Sequence, residues 1–294
     1  MSYLCAIRAS AMQLKGKLAV ITGAGSGIGR QLAVEAARRG LTVALIGRRA
    51  DALHGTLEMM DQQRNHVALP GDITDPEIRI ALKNYIAHWW GRLDVLVNNA
   101  GVLAVGPLAS TSDAELERLM KTNVIAPAAL IRELLPLLHR GAPSRVVNIG
   151  SMFGDIAYPL FGAYSASKFG LRGLSIALRR EFKEFGVGIT YAAPRATKTD
   201  ASSNFARLID PLRMRVDDPA KVARDIWAAV ARDADSVYAK GPERLFVLVQ
   251  RLFPQLVDRS LEAQMADTRV RAFLMSQNAS PTTLEVGLRS SGST

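Results

Sequence analysis

Short apolar runs alternate with longer amphipathic stretches along most of this chain. Residues 17–22, 41–46, 66–69, 93–97, 145–149, 187–192 and 237–239 form runs too short for helices, and they read as strands. Between them, apolar residues recur at spacings of three and four. Leu53, Leu57 and Met60 mark one helix, and Leu116, Leu119, Met120, Leu130, Leu134 and Leu138 mark a long one over 113–139. Leu171, Leu174, Leu178, Phe182 and Phe185 mark another, running to Gly186, and 219–232 predicts a further helix. Punctuation agrees: Gly40 stops the first helix, and Asp75 with Pro76 forms an N-cap and first helical residue. The strands are continuously apolar rather than alternating, which means burial on both faces. Strands alternating with helices predict an α/β fold with a doubly wound parallel sheet of about seven strands. Residues 195–218 carry no period and read as irregular.

Beyond Gly241 the pattern changes. Leu245, Phe246, Leu248, Val249, Leu252, Phe253, Leu256, Val257 and Leu261 predict an appended amphipathic helical segment, interrupted at Pro254. So many apolar positions are expected to be buried against the core or a second chain. The division expected is a main domain over 1–241, a helical extension over 242–275 and a flexible Ser/Thr/Gly tail over 276–294.

Composition narrows the class. The 294 residues are 48% apolar, enough for a substantial core, and no apolar run is long enough to span a bilayer. A single cysteine, Cys5, excludes an internal disulfide and agrees with a cytoplasmic location. The net charge of +10 reads as a soluble basic surface or as attraction for a polyanionic small molecule. Lysines and arginines are spread rather than blocked, no nucleic-acid motif is present and no metal site is expected. Arg244, Arg251, Arg259, Arg269 and Arg271 permit contact between the extension and a lipid surface, although a helix covering the core is the simpler reading.

Candidate chemistry begins at 23–29, Gly-Ala-Gly-Ser-Gly-Ile-Gly, between the first strand and the first helix. Gly23 permits a tight turn, Gly27 lets a pyrophosphate approach the backbone, and Gly29 lets helix pack closely on strand. The helix N-terminus then offers free N–H groups to phosphates. This is a Rossmann-like dinucleotide site. At the end of the second strand, where a carboxylate would hold the ribose hydroxyl of NAD, the chain has Gly47-Arg48-Arg49. Two guanidiniums there suit a 2′-phosphate, and the cofactor expected is NADP(H).

Tyr164 and Lys168 stand one helical turn apart on one face. A phenol beside an ammonium is expected to have a lowered pKa and to serve as a proton donor. Ser151 follows the fifth strand and so lies at the same sheet edge, with a hydroxyl able to donate to a substrate oxygen. Asn98-Asn99-Ala100-Gly101 ends the fourth strand at that edge as well. In the long helix Asn123 faces inward, and Pro127 has no N–H for its carbonyl, so an ordered water is expected there.

Together these residues resemble the short-chain dehydrogenase/reductase family over roughly residues 14–240. Thr22 to Gly29 matches the family pattern TGxxxGIG, Asn98 to Gly101 matches NNAG and Tyr164 to Lys168 matches YxxxK. The resemblance implies that Asn123, Ser151, Tyr164 and Lys168 form the catalytic set, with Lys168 also binding the nicotinamide ribose. It places Ser26 and Ile28 in the phosphate loop, Asp72 and Ile73 along the adenine, and Asn99, Ala100, Gly101, Pro194, Thr197 and Thr199 along the cofactor. One place departs: Arg195 stands where the family has glycine after Pro194, and arginine does not readily take a positive φ. The activity implied is NADP(H)-dependent interconversion of a carbonyl and a secondary alcohol by a homodimer or homotetramer. Met152, Phe153, Tyr158, Leu160, Phe161 and Phe205 predict an apolar substrate pocket. The alternatives are a cofactor-binding regulatory or scaffold protein on the same fold, and a peripheral lipid-directed reductase.

Overall fold

Alternating faces of each strand carry the architecture. In β1 (Leu18–Thr22), Ala19 and Ile21 point to one side of the sheet and Val20 to the other, and all three are fully buried. The computed structural model describes residues 12–278 apart from 62 and 204. Seven parallel strands, β1, β2 (Thr42–Gly47), β3 (Val67–Pro70), β4 (Val95–Asn98), β5 (Ser144–Ile149), β6 (Val187–Ala193) and β7 (Ser236–Tyr238), pair in the order β3-β2-β1-β4-β5-β6-β7. The order reverses between β1 and β4, and the crevice at their carboxyl ends is where such sheets bind ligands.

One face packs on α1 (Gly27–Arg38) and α9 (Pro219–Ala231). Ala33, Ala36 and Ala37 of α1 are small enough for α9 to approach closely, and Trp227 of α9 donates its indole N–H to Leu32 O at 2.9 Å. The other face packs on α3 (Pro76–Trp89) and α5 (Ala126–Arg140) through Leu82, Ile86, Leu130, Ile131 and Leu134. Each such buried aliphatic side chain contributes ~1.5–3 kcal/mol. Asp75 caps α3 by accepting from Glu77 N at 2.9 Å, with Pro76 at the first helical position.

The long helix expected over 113–139 is not uniform. It runs as α4 (Asp113–Met120), a π turn at Lys121–Ile125 and α5. The π turn holds Asn123 and immediately precedes the segment with Pro127, where the i to i−4 ladder lacks a donor. One added residue rotates the face, so Leu119 and Asn123 are buried while Met120, expected on the apolar stripe, is exposed. The helix carrying Tyr164, α6 (Gly162–Glu181), ends before Phe185, which is exposed on a following 3-10 turn. Residues 195–218 are not wholly irregular, because α7 (Asp200–Ser203) and α8 (Ala206–Ile209) form there.

The extension is helical: α10 (Glu243–Leu252), α11 (Pro254–Met265) and α12 (Thr268–Asn278), with α2 (Ala50–Leu57) completing the set of helices described. Pro254 begins α11, as its missing N–H dictates. Only part of the expected burial occurs. Val247 and Val270 reach the core, whereas Leu245, Leu248, Leu252 and Leu256 remain half exposed within the chain. Residues 279–294 lie outside the described residues.

Candidate active site

The glycine loop joins β1 to α1 at the sheet's switch point. Gly23 has a φ of +64°, and a Cβ there would meet Ala100 Cα at 2.9 Å; a Cβ on Gly29 would strike Gly23 O. The loop is clipped to the end of β4. Thr22 Oγ1 accepts the N–H groups of Asn99 and Ala100, both at 3.0 Å, and Asn99 Nδ2 donates to Thr22 O and Gly23 O. The Asn99 side chain thus orders the loop rather than projecting into the crevice. Ser26 at the N-cap of α1 makes no side-chain cap, which leaves the helix end facing the crevice.

A single cavity of about 1010 Å³ is lined by Gly23, Ser26, Gly27, Ile28, Gly29, Arg48, Arg49, Asp72, Ile73, Asn99, Ala100, Gly101, Ser151, Tyr164, Lys168, Pro194, Thr197 and Thr199. Arg48 and Arg49 are exposed at its rim, beyond Gly47, and among the described residues no carboxylate pairs with either. Asn123 stands apart. It is buried, accepts Val102 N at 2.8 Å on Oδ1, and donates from Nδ2 to Val102 O and Ser167 Oγ, both at 2.9 Å. Its side chain is spent on fixing the loop after β4 against α6.

Ser151 Oγ accepts Phe153 N–H at 3.1 Å and hydrogen-bonds the Tyr164 hydroxyl. Lys168 Nζ donates to Ile149 O at 3.0 Å and lies 5.6 Å from the Tyr164 ring centroid. The lowered phenol pKa expected from the sequence does not occur. Burial pushes Tyr164 up to about 12, against a smaller pull from the Ser151 hydrogen bond, and burial pushes Lys168 down to about 8. Both groups are desolvated together, and desolvation disfavours phenolate and ammonium alike. The phenol is thereby held in its acid form at neutral pH.

Behind Ser151 lies a group of residues the sequence reading missed. Tyr191 Oη accepts Ser151 N–H at 3.4 Å and donates to Ser151 O at 3.2 Å. Asp155, buried, pairs with Arg172 Nε at 3.1 Å and Arg251 Nη2 at 3.5 Å, and accepts the Tyr238 hydroxyl. Burial raises the Asp155 pKa, opposed by Arg172, Tyr238 and Arg251. Arg251 belongs to α10, so the extension is tied to the turn that carries Ser151. No spacing in the sequence announces contacts made across so many intervening residues.

Arg195 resolves its own anomaly. It is not among the described residues with positive φ, so the turn needs no glycine. Its guanidinium grips Asp217 in a fork, Nε to Oδ2 at 2.9 Å and Nη2 to Oδ1 at 2.8 Å, beside the bridge that pairs Thr197 with Asp217. Asp217→Ala removes the carboxylate that a mostly buried guanidinium grips at two points and is expected to cost on the order of 3 kcal/mol. The readout is a lowered urea midpoint at unchanged slope. Adding Arg195→Gly to Asp217→Ala should recover part of that loss, and strictly additive losses would show that the two are not coupled.

The apolar end of the cavity is formed by Met152, Phe153, Tyr158, Phe161 and Phe205, joined by Leu103, Leu212, Met214 and Phe246. Leu160 does not line it but packs behind, in the cluster with Phe161, Phe205 and Val270. Phe246, with Pro242, brings the extension to the cavity mouth, which its sequence did not reveal.

A doubly wound sheet with a glycine loop at its switch point, and a tyrosine, a lysine and a serine across the same crevice, defines a dinucleotide-dependent oxidoreductase. Residues 17–208 match the family model for short chain dehydrogenases, and the chain belongs to the short-chain dehydrogenase/reductase family. It is 31% identical over 213 residues to an uncharacterized oxidoreductase of Thermotoga maritima, covering 70% of this chain and 84% of that one. It is 32% identical to dehydrogenase/reductase SDR family member 7B of Xenopus tropicalis (66% and 65% covered) and 36% identical to retinol dehydrogenase 5 of Mus musculus (62% and 57% covered). The fold is similar to a short-chain dehydrogenase from Streptomyces avermitilis, with a TM-score of 0.72 at 30% identity over 86% of this chain and 100% of that one. It is also similar to a Burkholderia phymatum family member in complex with NAD, with a TM-score of 0.75 at 24% identity over 83% and 96%. The family's nicotinamide dinucleotide fits what lines the crevice. The tight Gly23–Gly29 backbone and the uncapped end of α1 suit a pyrophosphate, and Asp72 and Ile73 lie farther along the same cavity.

Proposed function

We propose that this protein is an NADP(H)-dependent oxidoreductase that interconverts an apolar carbonyl compound and its secondary alcohol. One observation carries the reading: a continuous cavity runs from two rim arginines, past the Ser151–Tyr164 pair, to an aromatic wall. Arg48 and Arg49 would hold the 2′-phosphate, the Gly23–Gly29 loop the pyrophosphate, and Lys168 the nicotinamide ribose, with Pro194, Thr197 and Thr199 beside the nicotinamide. When bound, the cofactor supplies or accepts the hydride.

The side chains manage the proton. Ser151 Oγ already accepts Phe153 N–H, so its own O–H is available to the substrate oxygen. Tyr164, held protonated by burial, donates its proton as negative charge grows on that oxygen, and takes one back in the oxidative direction. The Lys168 ammonium opposes the charge left on the phenolate, and the main-chain carbonyl of Asn123, which Pro127 cannot serve as a donor, would hold a water linking Lys168 to solvent. The phenyl rings of Phe153 and Phe161 keep bulk water from the reacting atoms.

A screen of NADPH oxidation across aliphatic, aromatic, steroid and acyl carbonyls tests the reading. Turnover with apolar members supports it, and absence of turnover with every class overturns it. The pH profile follows from Lys168. Its ammonium form predominates below about 8 and is lost above. The expected result is that log kcat/KM for reduction falls with unit slope above that pH, while the Tyr164 proton, with a pKa of about 12, imposes no limit there. A flat profile through this range would remove the ammonium from the mechanism.

A further inference from the structure

Ser151 is held at two ends. Its Oγ meets the Tyr164 hydroxyl, and its main chain meets a second tyrosine, Tyr191 of β6. Past the end of β5 the ladder to β6 continues at alternate residues, Gly150 N to Ala192 O at 2.7 Å and Met152 N to Pro194 O at 3.0 Å. The Ser151 N–H between these rungs goes instead to Tyr191 Oη at 3.4 Å, and the same hydroxyl donates to Ser151 O at 3.2 Å. One hydroxyl can do both because Ser151 is fully extended, with φ −165° and ψ 160°. In that conformation a residue's N–H and C=O point to the same side, and its Cβ stands out of their plane. A grip on the two peptide groups therefore sets the direction of the Cα–Cβ bond that carries Oγ.

The tyrosine is itself well anchored. It is 4% exposed, in a cluster with Met152, Ala193 and Val247. Its ring takes the space where a side chain at Gly150 would stand, and its hydroxyl the space beside Gly154. Neither glycine has a positive φ, so the backbone does not demand glycine there; at Gly150 the Tyr191 ring does. Burial pushes the Tyr191 phenol far above its ordinary range, against the Ser151 hydrogen bond and with Asp155 and Tyr238 adding, so it keeps the proton that it donates. A phenylalanine would fill the same space, and only the hydroxyl reaches the peptide groups of the serine. We infer that Tyr191 is a positioning residue, whose hydroxyl holds the Ser151 main chain so that Oγ stays against Tyr164 with its own O–H free for the substrate oxygen. The effect on turnover rests on the reductase reading; the grip on Ser151 does not.

Tyr191→Phe keeps the ring and removes the grip. Misplacing a reacting group by about 1 Å can cost about 10²-fold, so kcat for an accepted carbonyl should fall by about 10- to 100-fold. KM for that carbonyl and affinity for NADPH should stay within about twofold of the wild type, because the glycine loop, rim arginines and aromatic wall are untouched. Circular dichroism should match the wild type. In a Ser151→Ala background the same change should cost no more than about twofold further, because the group it positions is gone. A role in packing alone would cost equally in both backgrounds. Equal losses overturn the proposal, as does wild-type kcat in Tyr191→Phe alone. Amide hydrogen exchange reads the grip without turnover. At Ser151 it should quicken by at least about tenfold in Tyr191→Phe, while the amides of β1 and α6 keep their wild-type rates. Unchanged exchange at Ser151, or quickening spread over the whole sheet, overturns the assignment. If the carbonyl screen finds no substrate, the reductase reading fails, and the exchange rate still decides whether Tyr191 holds Ser151.

Discussion

Tyr164→Phe is expected to lower turnover by roughly 10²- to 10⁴-fold, the range attributed to a positioned proton donor. The substitution keeps the ring, its edge-on contact with Phe153 and its place near Lys168, and removes only the hydroxyl that meets Ser151. Packing is thus held nearly constant while the proton is taken away. Affinity for NADPH, read by fluorescence titration, should be close to that of the wild type, because the loop and rim arginines are untouched. The loss should appear in kcat and kcat/KM alike, the pattern of an interaction made only in the transition state. A phenylalanine variant with near wild-type kcat on an accepted substrate would require another proton donor.

The second large effect concerns cofactor choice. NADPH should be preferred over NADH in kcat/KM by at least about tenfold. A charge-assisted bond between guanidinium and phosphate is worth about 1.5–3 kcal/mol, roughly 10- to 150-fold, and NADH offers no phosphate at that point. Arg48→Ala should erode the preference chiefly through KM for NADPH, and adding Gly47→Asp should turn it toward NADH, because a carboxylate there repels the phosphate and can hold the ribose hydroxyl. Both arginines are exposed at the cavity rim, so Arg48→Ala leaves the core untouched, whereas a Cβ at Gly47 meets Leu53 Cδ2 at 3.3 Å and requires that side chain to give by a few tenths of an ångström. Wild-type enzyme that used NADH as well as NADPH would take the 2′-phosphate away from Arg48.

Both expectations rest on residues that were legible from the chain alone, and the reason is local. Strands buried on both faces must be continuously apolar, so the seven runs and their parallel order of layers could be read directly. The glycine loop, Asn98 to Gly101, and Tyr164 with Lys168 announce themselves because their chemistry acts within one turn or one helix face. The sheet then places them around one cavity through its switch point. What depended on burial could not be read this way. The phenol's pKa rises rather than falls because α6 packs Tyr164 and Lys168 out of water together, a property of neighbours from distant segments. The Arg195–Asp217 fork, the Tyr191 contact with Ser151 and the tie from Asp155 to Arg251 join segments that no short-range period connects. The extension shows the limit most directly. Its sequence declares an amphipathic helix, but the direction of an apolar face is set by what it packs against, and only the fold turns Val247 inward and leaves Leu248 and Leu252 outside.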